Sequence, residues 1–253
     1  MKKIALDLDG TIYSGKKLIS GSKKAIDLLL ENEFEIFFTT NNSSQTIDEI
    51  SIKLEALLDI NIKKGNVITP LVMLSSYLLT NNENIFIYGS ESLKKYVLNL
   101  NYNLTNLHDS KNIVIGRKDL LDEALINEMI NKIRQGSLPI ALNKDLTFPS
   151  EGKELPGNGA VVKILEDELG INIESLGKPD DVYSNYFLEQ KIEIDYVIGD
   201  RVDTDVLFGN KINAISILVK SGINNFLPET LANRVEDNLL EAVTSIVNYL
   251  LPC

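Results

Sequence analysis

Short apolar runs alternate with segments of helical periodicity along most of the chain, and this alternation limits the possible folds more than any other feature. The first two apolar runs cover residues 4–8 and 34–38, and helical patterns over 23–30 and 46–58 follow them. Strands separated by helices of this length indicate βαβ units, because a parallel strand needs a long crossover to return to its sheet. The sequence therefore predicts an α/β protein built on a parallel sheet.

A second set of alternating segments fills the middle of the chain. Thr69 and Pro70 predict a helix start, with threonine as the N-cap and proline in the first turn, and the polar run 81–84 marks a domain boundary. Residues 143–158, with their prolines and glycines, predict a loop. The remaining predictions are strands at 85–88, 113–115 and 139–142, and helices at 91–98, 122–134 and 160–169, the last ended by Gly170.

Composition and charge exclude several classes of protein. The 253 residues carry a formal net charge of −11, which argues against a nucleic-acid polymer or an anionic membrane as partner. Asp7 and Asp9 interrupt the first apolar stretch before it reaches the length of an export signal, so we expect a cytoplasmic protein. Cys253 is the single cysteine, which excludes an internal disulfide, and the single histidine, His108, is expected on the surface.

Residues 7–11 (DLDGT) place Asp7 and Asp9 at the end of the first predicted strand. Alternation along a strand puts both carboxylates on one face, and Gly10 permits a sharp turn. Two such charges repel by about 4 kcal/mol at roughly 4 Å and an effective dielectric of about 20, so we expect a cation beside them. Asp7 can act as an acyl-phosphate nucleophile and Asp9 as a proton shuttle. The alternative is an ordinary turn after a strand.

Two further segments can supply groups that bind phosphate. Residues 40–44 (TNNSS) follow the strand at 34–38, so hydroxyl and backbone N–H donors can face an incoming phosphate; taken alone, they can also be a helix N-cap. Lys178, between Gly177 and Pro179, can neutralise oxygens of a transferring group. The alternative for this segment is a solvated turn.

Acidic residues recur at the end of a later strand. The apolar runs 196–198 and 214–219 return the chain to the first sheet, and Asp200 and Asp205 follow the first of them. More negative charge at the same edge favours a hard divalent cation with oxygen ligands, and Mg²⁺ is the predicted cofactor. The alternative for Asp200 is another helix N-cap.

In their order along the chain, these four segments resemble the signature motifs of the haloacid dehalogenase-like (HAD) phosphohydrolases. The position of the second α/β unit, between the motifs of Thr40 and Lys178, is similar to subclass IIA, which includes NagD-like proteins, 4-nitrophenylphosphatases and phosphoglycolate phosphatases. The resemblance implies a Rossmann-like parallel-sheet core, at residues 1–80 and 175–253, with an inserted α/β cap domain at 81–174 that selects the substrate.

The resemblance also implies roles for individual residues. Asp7 is the expected nucleophile, Asp9 the general acid and base, and Thr40 and Lys178 are phosphate ligands. Asp7, Asp200 and the Asp9 carbonyl are the expected Mg²⁺ ligands, with Asp205 supporting them from behind. The expected substrate or phosphate contacts are Gly10, Asn41, Asn42, Asn143, Asp145 and Asn158. One departure is the sequence 219–222 (VKSG), where relatives often carry Leu-Thr-Gly, which puts substrate contacts there in doubt.

The predicted activity is Mg²⁺-dependent hydrolysis of a small phosphomonoester through an aspartyl-phosphate intermediate. Sugar phosphates, phosphoglycolate, nucleotide monophosphates and pyridoxal phosphate all remain open as substrates. Two alternatives stand beside it: a phosphotransferase or mutase with the same intermediate, and a non-catalytic protein that binds a phosphorylated ligand. A dinucleotide oxidoreductase is disfavoured, because no G-x-G-x-x-G follows the first strand. The expected partner is a small phosphorylated metabolite, and the resemblance suggests a homodimer.

Overall fold

The computed structural model describes residues 1–118, 120–150, 153–222 and 227–250, with the side chains of 148–150, 153–155 and 250 left out. Cys253 lies outside the described residues. The chain divides into two compact units. The first unit comprises Met1–Thr40, Ile47–Ile68 and Tyr183–Cys253, and the second comprises Asn41–Thr46 and Thr69–Val182. The predicted core and cap boundaries stay a prediction, because the two units describe packing and not function.

The described residues form short strands and helices that alternate along the chain. The strands are β1 (Lys3–Asp7), β2 (Tyr13–Ser14), β3 (Lys17–Leu18), β4 (Glu35–Thr39), β5 (Val67–Ile68), β6 (Ile85–Tyr88), β7 (Asn112–Ile115), β8 (Leu138–Ala141), β9 (Thr147–Ser150), β10 (Lys153–Pro156), β11 (Glu174–Ser175), β12 (Tyr196–Gly199), β13 (Ile215–Val219) and β14 (Arg234–Glu236). The helices are α1 (Ser22–Glu31), α2 (Ile47–Leu58), α3 (Pro70–Thr80), α4 (Glu91–Asn99), α5 (Glu123–Arg134), α6 (Asn158–Leu169), α7 (Asp181–Glu189), α8 (Leu207–Lys211) and α9 (Leu239–Leu250).

The sheet of the first unit has the strand order β14-β13-β12-β1-β4-β5, and its described pairings are all parallel. In register, Leu6 of β1 lies opposite Ile198 of β12 and Phe38 of β4. The strand order reverses at β1, because the chain continues first to β4 and β5 and only later to β12. Open α/β sheets bind ligands at such a switch point, outside the carboxyl ends of the strands.

Helices cover both faces of this sheet. Ile4 and Leu6 of β1 pack into a core cluster with residues of α1, α2 and α9. On the opposite face, Phe37 of β4 contacts Phe187 of α7, with ring centroids 6.5 Å apart. Phe187 also packs against Phe208 of α8 at 5.2 Å. Parallel strands that are buried on both faces consist of nearly continuous apolar residues, and the strands of this sheet show that pattern in the sequence.

The second unit has its own parallel sheet, in the order β11-β8-β7-β6, and its own core. Met129 of α5 and Leu165 of α6 are fully buried in that core, against Ile113 of β7. A short antiparallel pair, β9 and β10, forms a separate ribbon. These two parallel sheets confirm the predicted α/β fold class.

Local signals in the sequence account for several element ends. The Thr69 hydroxyl accepts a hydrogen bond from the Leu71 N–H at 3.1 Å with Pro70 in the first turn, which confirms the predicted start of α3. Gly170 ends α6 in the left-handed region at φ +66°, as predicted. His108 is exposed and pairs with Asp109, as expected for a surface histidine.

The prediction of a loop over residues 143–158 is wrong in part. Strands β9 and β10 lie within it, and α6 begins at Asn158 rather than at residue 160. Pro149 and Pro156 favoured a loop because proline cannot donate to a sheet. In a two-stranded ribbon each strand is an edge strand, however, so proline is tolerated there.

Among the described residues, none of the helices combines the length and the apolar character that crossing a membrane requires. The predicted cytoplasmic location stays a prediction.

We expect Phe187→Ala to destabilise the first unit strongly. Phe187 is 1% exposed and packs among Phe37, Tyr183 and Phe208, so truncation leaves a cavity and should cost about 3–5 kcal/mol. The matched control is Leu188→Ala on the same helix, because Leu188 is 66% exposed and should change stability by no more than about 0.5 kcal/mol. Urea unfolding followed by circular dichroism measures both values. Equal losses for the two variants would contradict this account of the core.

Candidate active site

Polar residues collect at the carboxyl ends of four neighbouring strands of the first unit. Asp7 is the last residue of β1, Thr40 follows β4, Asp200 follows β12, and residues 220–222 follow β13. Since these strands are parallel and adjacent, their carboxyl ends lie along one edge of the sheet. This edge contains the switch point beside β1, where a ligand crevice is expected.

The chain turns sharply after β1, and this turn separates Asp9 from the strand. The Leu8 carbonyl accepts hydrogen bonds from the N–H groups of Ile12 at 2.9 Å and Tyr13 at 3.1 Å, while Gly10 has φ +91°. Strand β1 ends at Asp7 and Asp9 lies in the turn, so the shared face of the two carboxylates stays a prediction. Gly10 permits this geometry because a Cβ atom disfavours positive φ.

Three aspartates converge beside this turn. One carboxylate oxygen each from Asp7, Asp200 and Asp205 lies within 4.8 Å of the others, and all three residues are buried. Such a cluster needs protons or a cation, because like charges in a buried site disfavour full ionisation. A hard divalent cation takes carboxylate ligands of this kind. The three carboxylates are thus the described groups that can hold a metal ion in the first unit.

Asp205 reaches the cluster because the chain forms one wide turn, Val202–Val206, two residues after the end of β12. Its Oδ2 accepts a hydrogen bond from the Arg201 N–H at 3.1 Å. The alternative that Asp200 is a helix N-cap does not fit, since Arg201 occupies the cap position of that turn. The supporting role of Asp205 stays a prediction, and one of its carboxylate oxygens lies within 4.8 Å of an oxygen of Asp7 and of Asp200.

Glycines leave the space that two of these carboxylates occupy. A Cβ atom on Gly10 or on Gly222 would overlap the Asp200 carboxylate, and one on Gly199 would overlap Asp205. These positions are glycine because the carboxylates approach the backbone directly. The turns around the cluster are therefore shaped to hold the acidic groups in place.

Tyr13 and Lys53 extend the site, and sequence reasoning missed both. The Lys53 ammonium lies 3.4 Å from the centroid of the Tyr13 ring. Burial raises the pKa of the Tyr13 hydroxyl, and the negative charges of Asp9 and Asp7 raise it further. Burial lowers the pKa of Lys53, and the charge of Asp9 opposes that shift. In the sequence Tyr13 looks like a core residue and Lys53 like an ordinary helix lysine, so neither carried a signal.

Residues 219–222, where the sequence differs from the Leu-Thr-Gly of relatives, still provide a hydroxyl that links the segment after β13 to the turn after β1. Ser221 Oγ donates a hydrogen bond to the Gly10 carbonyl at 2.8 Å. Lys220 is half exposed, and its ammonium lies 3.8 Å from a carboxylate oxygen of Glu229. Ser221 thus supports the turn after β1.

Two predicted phosphate-binding segments have distinct local structures. Thr40 is buried, and its N–H donates to the Ile68 carbonyl at 3.1 Å. The Asn42 side chain accepts from the Ser44 N–H at 2.9 Å, which forms a local turn. Since α2 begins only at Ile47, the alternative that residues 40–44 cap this helix does not fit.

In the second unit, the main chain of Lys178 is bound by the side chain of Asn41. The Lys178 N–H donates to Asn41 Oδ1 at 2.7 Å, and Asn41 Nδ2 donates to the Lys178 carbonyl at 3.0 Å. Lys178 is only 3% exposed, so the alternative of a solvated turn does not fit.

Asparagines also organise the predicted substrate loop. Asn41 Nδ2 donates to Asp145 Oδ1 at 2.9 Å, and Asn143 Nδ2 donates to the Asn41 carbonyl at 2.9 Å. Asn158, the first residue of α6, donates to the Asn143 carbonyl at 2.8 Å. The predicted residues Asn41, Asn143, Asp145, Asn158 and Lys178 therefore come together within the second unit.

Comparisons with known proteins assign the chain to a family. The haloacid dehalogenase-like hydrolase model matches residues 4–103, and a second, HAD-hydrolase-like model matches residues 175–244. An acid sugar phosphatase of Staphylococcus epidermidis is 30% identical over 231 residues, which are 87% of each chain.

Two solved structures are similar along nearly the whole chain. The 4-nitrophenylphosphatase of Thermotoga maritima has 25% identity and a TM-score of 0.82, covering 96% of this chain and 97% of its own. A glycerol phosphate phosphatase of Mycobacterium tuberculosis in complex with magnesium has 25% identity and a TM-score of 0.78, covering 94% of this chain and 76% of its own. The chain belongs to the haloacid dehalogenase-like hydrolases, in the subclass IIA group of NagD-like proteins and 4-nitrophenylphosphatases that the sequence predicted.

Proposed function

We propose that this protein is a Mg²⁺-dependent phosphatase that hydrolyses a small phosphomonoester through a phosphorylated Asp7. The observation that carries the proposal is the position of Asp7, which ends the central strand of the first unit and lies within reach of the buried carboxylates of Asp200 and Asp205. Membership in the HAD-like hydrolases supports the reaction class. A buried nucleophilic carboxylate beside other acids fits covalent phosphoryl transfer and has no evident use in packing.

The residues of the acidic cluster fit a divalent cation. The three carboxylates offer the oxygen ligands that Mg²⁺ takes, and Gly10, Gly199 and Gly222 leave the space for them. We assign Asp7, Asp200 and the main-chain carbonyl of Asp9 as the protein ligands, with the Asp205 carboxylate beside them. When bound, the cation offsets the negative charge of these carboxylates and of the substrate phosphate. The M. tuberculosis relative is described in complex with magnesium, which supports this choice of metal.

In the proposed mechanism, Asp7 and Asp9 divide the covalent and the proton-transfer chemistry. An Asp7 oxygen attacks phosphorus, and the bond between phosphorus and the leaving oxygen breaks while Asp9 gives that oxygen a proton. Asp9 then takes a proton from water, which attacks the aspartyl phosphate, releases inorganic phosphate and restores Asp7. Thr40 and Lys178 bind the phosphoryl oxygens and stabilise the negative charge that develops on these oxygens in the transition state.

The substrate is proposed to be the phosphate ester of a small polyol. Relatives of this chain are described as an acid sugar phosphatase and as a glycerol phosphate phosphatase, which favours hydroxyl-rich phosphate esters among the substrates left open by the sequence. We propose that the loop containing Asn143 and Asp145 selects the substrate, and that residues 81–174 act as the cap. A screen of metabolite phosphates with Mg²⁺, scored by phosphate release, tests the assignment. A homodimer and a cytoplasmic location stay predictions.

We expect Asp7→Asn to abolish turnover while leaving the fold intact, because the amide keeps the shape of the side chain but is a poor nucleophile. The rate of p-nitrophenyl phosphate hydrolysis with Mg²⁺ should fall by at least about a thousandfold, which is the size of the effect expected when a nucleophile is removed. The control is Asp48→Asn, an exposed aspartate of the same unit paired with Lys64. Near wild-type phosphate release by Asp7→Asn would exclude the covalent mechanism.

Lys178→Ala should lower kcat/KM by about 10²–10³-fold, because the loss of one electrostatic stabiliser of the transition state costs about 2.7–4 kcal/mol. Lys163→Ala is the matched control, since Lys163 lies on the surface of the same unit and pairs with Asp167. Steady-state kinetics on p-nitrophenyl phosphate measure both variants. Wild-type kinetics for Lys178→Ala would exclude Lys178 as a ligand that stabilises the transition state.

Gly222→Ala should weaken Mg²⁺ binding by at least about tenfold, because the new Cβ would overlap the Asp200 carboxylate and displace it. Gly65→Ala is the control, since a Cβ there meets no atom within 4 Å. Isothermal titration with Mg²⁺ gives the affinity directly, without reference to turnover. Unchanged binding by Gly222→Ala would mean that Asp200 is not a ligand.

A further inference from the structure

The side chain of Asn41 is fully committed to hydrogen bonds within the protein. Its Oδ1 accepts a hydrogen bond from the Lys178 N–H, and its Nδ2 donates one to the Lys178 carbonyl. The Nδ2 group donates a further hydrogen bond to Asp145 Oδ1 at 2.9 Å. An asparagine amide has two N–H donors, and both are used here. Asn41 is also 92% shielded from solvent, at 8% exposure. The geometry fits a residue that holds other groups in place better than one that donates to a substrate.

The neighbouring backbone shows that this arrangement is built into the unit. The Asn41 carbonyl accepts from Asn143 Nδ2 at 2.9 Å, and the Asp145 N–H donates to Asn143 Oδ1 at 3.2 Å. Asn158 Nδ2 then bonds the carbonyls of Asn143 at 2.8 Å and Ile115 at 3.0 Å. A continuous set of buried and partly buried amide hydrogen bonds therefore joins the segment of Asn41 to the loop of Asp145 and to the start of α6.

Gly177 leaves the space that the Asn41 amide needs. A Cβ atom at residue 177 would lie 2.8 Å from Asn41 Oδ1 and 2.9 Å from Asn143 Cβ, closer than side chains tolerate. The glycine before Lys178 is thus explained by the approach of Asn41. A polar network of this kind specifies one arrangement strongly when every donor is satisfied.

We propose that Asn41 is a positioning residue that fixes the main chain of Lys178 and links it to the Asp145 carboxylate. Resting on the proposed function, this inference assigns Asn41 to the placement of the phosphate-binding lysine and not to direct substrate contact. Asp145 lies on the loop proposed to select the substrate, so one amide connects the selecting loop to the lysine. A substitution at Asp145 that breaks its hydrogen bond with Asn41 should therefore also change the position of the Lys178 main chain.

The test replaces Asn41 and follows the Lys178 amide directly. Asn41→Ser removes the acceptor of the Lys178 N–H, so exchange of that amide proton with deuterium, read by NMR, should become at least about tenfold faster. The inhibition constant for orthovanadate and kcat/KM for p-nitrophenyl phosphate should each worsen by about a hundredfold, the scale of a misplaced catalytic group. Asn131→Asp, on an exposed position of α5 in the same unit, should change none of the three.

A charge exchange tests the link to Asp145. Asn41→Asp places two carboxylates against each other, whereas Asn41→Asp combined with Asp145→Asn restores a donor and an acceptor between them. The double variant should recover at least about fivefold of the kcat/KM lost by Asn41→Asp, since residues in direct contact are coupled. Where Asn41→Ser does not fold, this pair of variants also tests the positioning role, through the same exchange and vanadate measurements.

Several results would overturn the inference. Unchanged exchange of the Lys178 amide in Asn41→Ser would exclude the positioning role, and unchanged vanadate inhibition with faster exchange would exclude its effect on phosphate binding. A double variant no better than Asn41→Asp would exclude the link to Asp145. Turnover retained by Asp7→Asn, by contrast, would overturn the proposed mechanism and leave the exchange result standing.

Discussion

The mutual repulsion of three buried carboxylates is the constraint on which the rest of the site depends. Two unit charges about 4 Å apart repel by about 4 kcal/mol at an effective dielectric of about 20, and a domain is stable by only about 5–15 kcal/mol. A cation bound among Asp7, Asp200 and Asp205 would offset this repulsion. The parallel sheet brings Asp7 and Asp200 together, because they lie at adjacent strand ends that the ladder hydrogen bonds hold in register, and the wide turn after Arg201 adds Asp205.

The sequence predicted this convergence because it depends on backbone geometry alone. Parallel strands end along one edge, so any acid directly after β1 and β12 must lie there, whatever surrounds it. The direction of a side chain within a turn depends on finer detail. Asp9 lies beyond the end of β1, where three N–H groups fold back onto the Leu8 carbonyl, and Asp205 lies in the cluster because a wide turn follows Arg201. No periodicity in the sequence encodes either turn.

The asparagine network of the second unit could not be predicted for a different reason. Asn41 lies 104 residues from Asp145 and 137 from Lys178, and an amide that binds substrate looks the same in sequence as one that binds a distant backbone. Burial and saturated hydrogen bonding separate the two possibilities, and both are properties of the folded chain. The family resemblance pointed to these residues as substrate contacts, while the structure indicates what their side chains are bound to.

The two units thus hold their polar residues by different means. In the first unit, the sheet ladder fixes the strand ends that carry Asp7 and Asp200, and neighbouring glycines leave the space for the carboxylates. In the second unit, Lys178 and Asp145 lie on loops, and side-chain amides supply the order that a sheet would otherwise provide. A loop held this way tolerates new residues wherever the amide bonds survive. Leu146, which is 54% exposed beside Asp145, is such a position, whereas Gly177 and Asn143 are not.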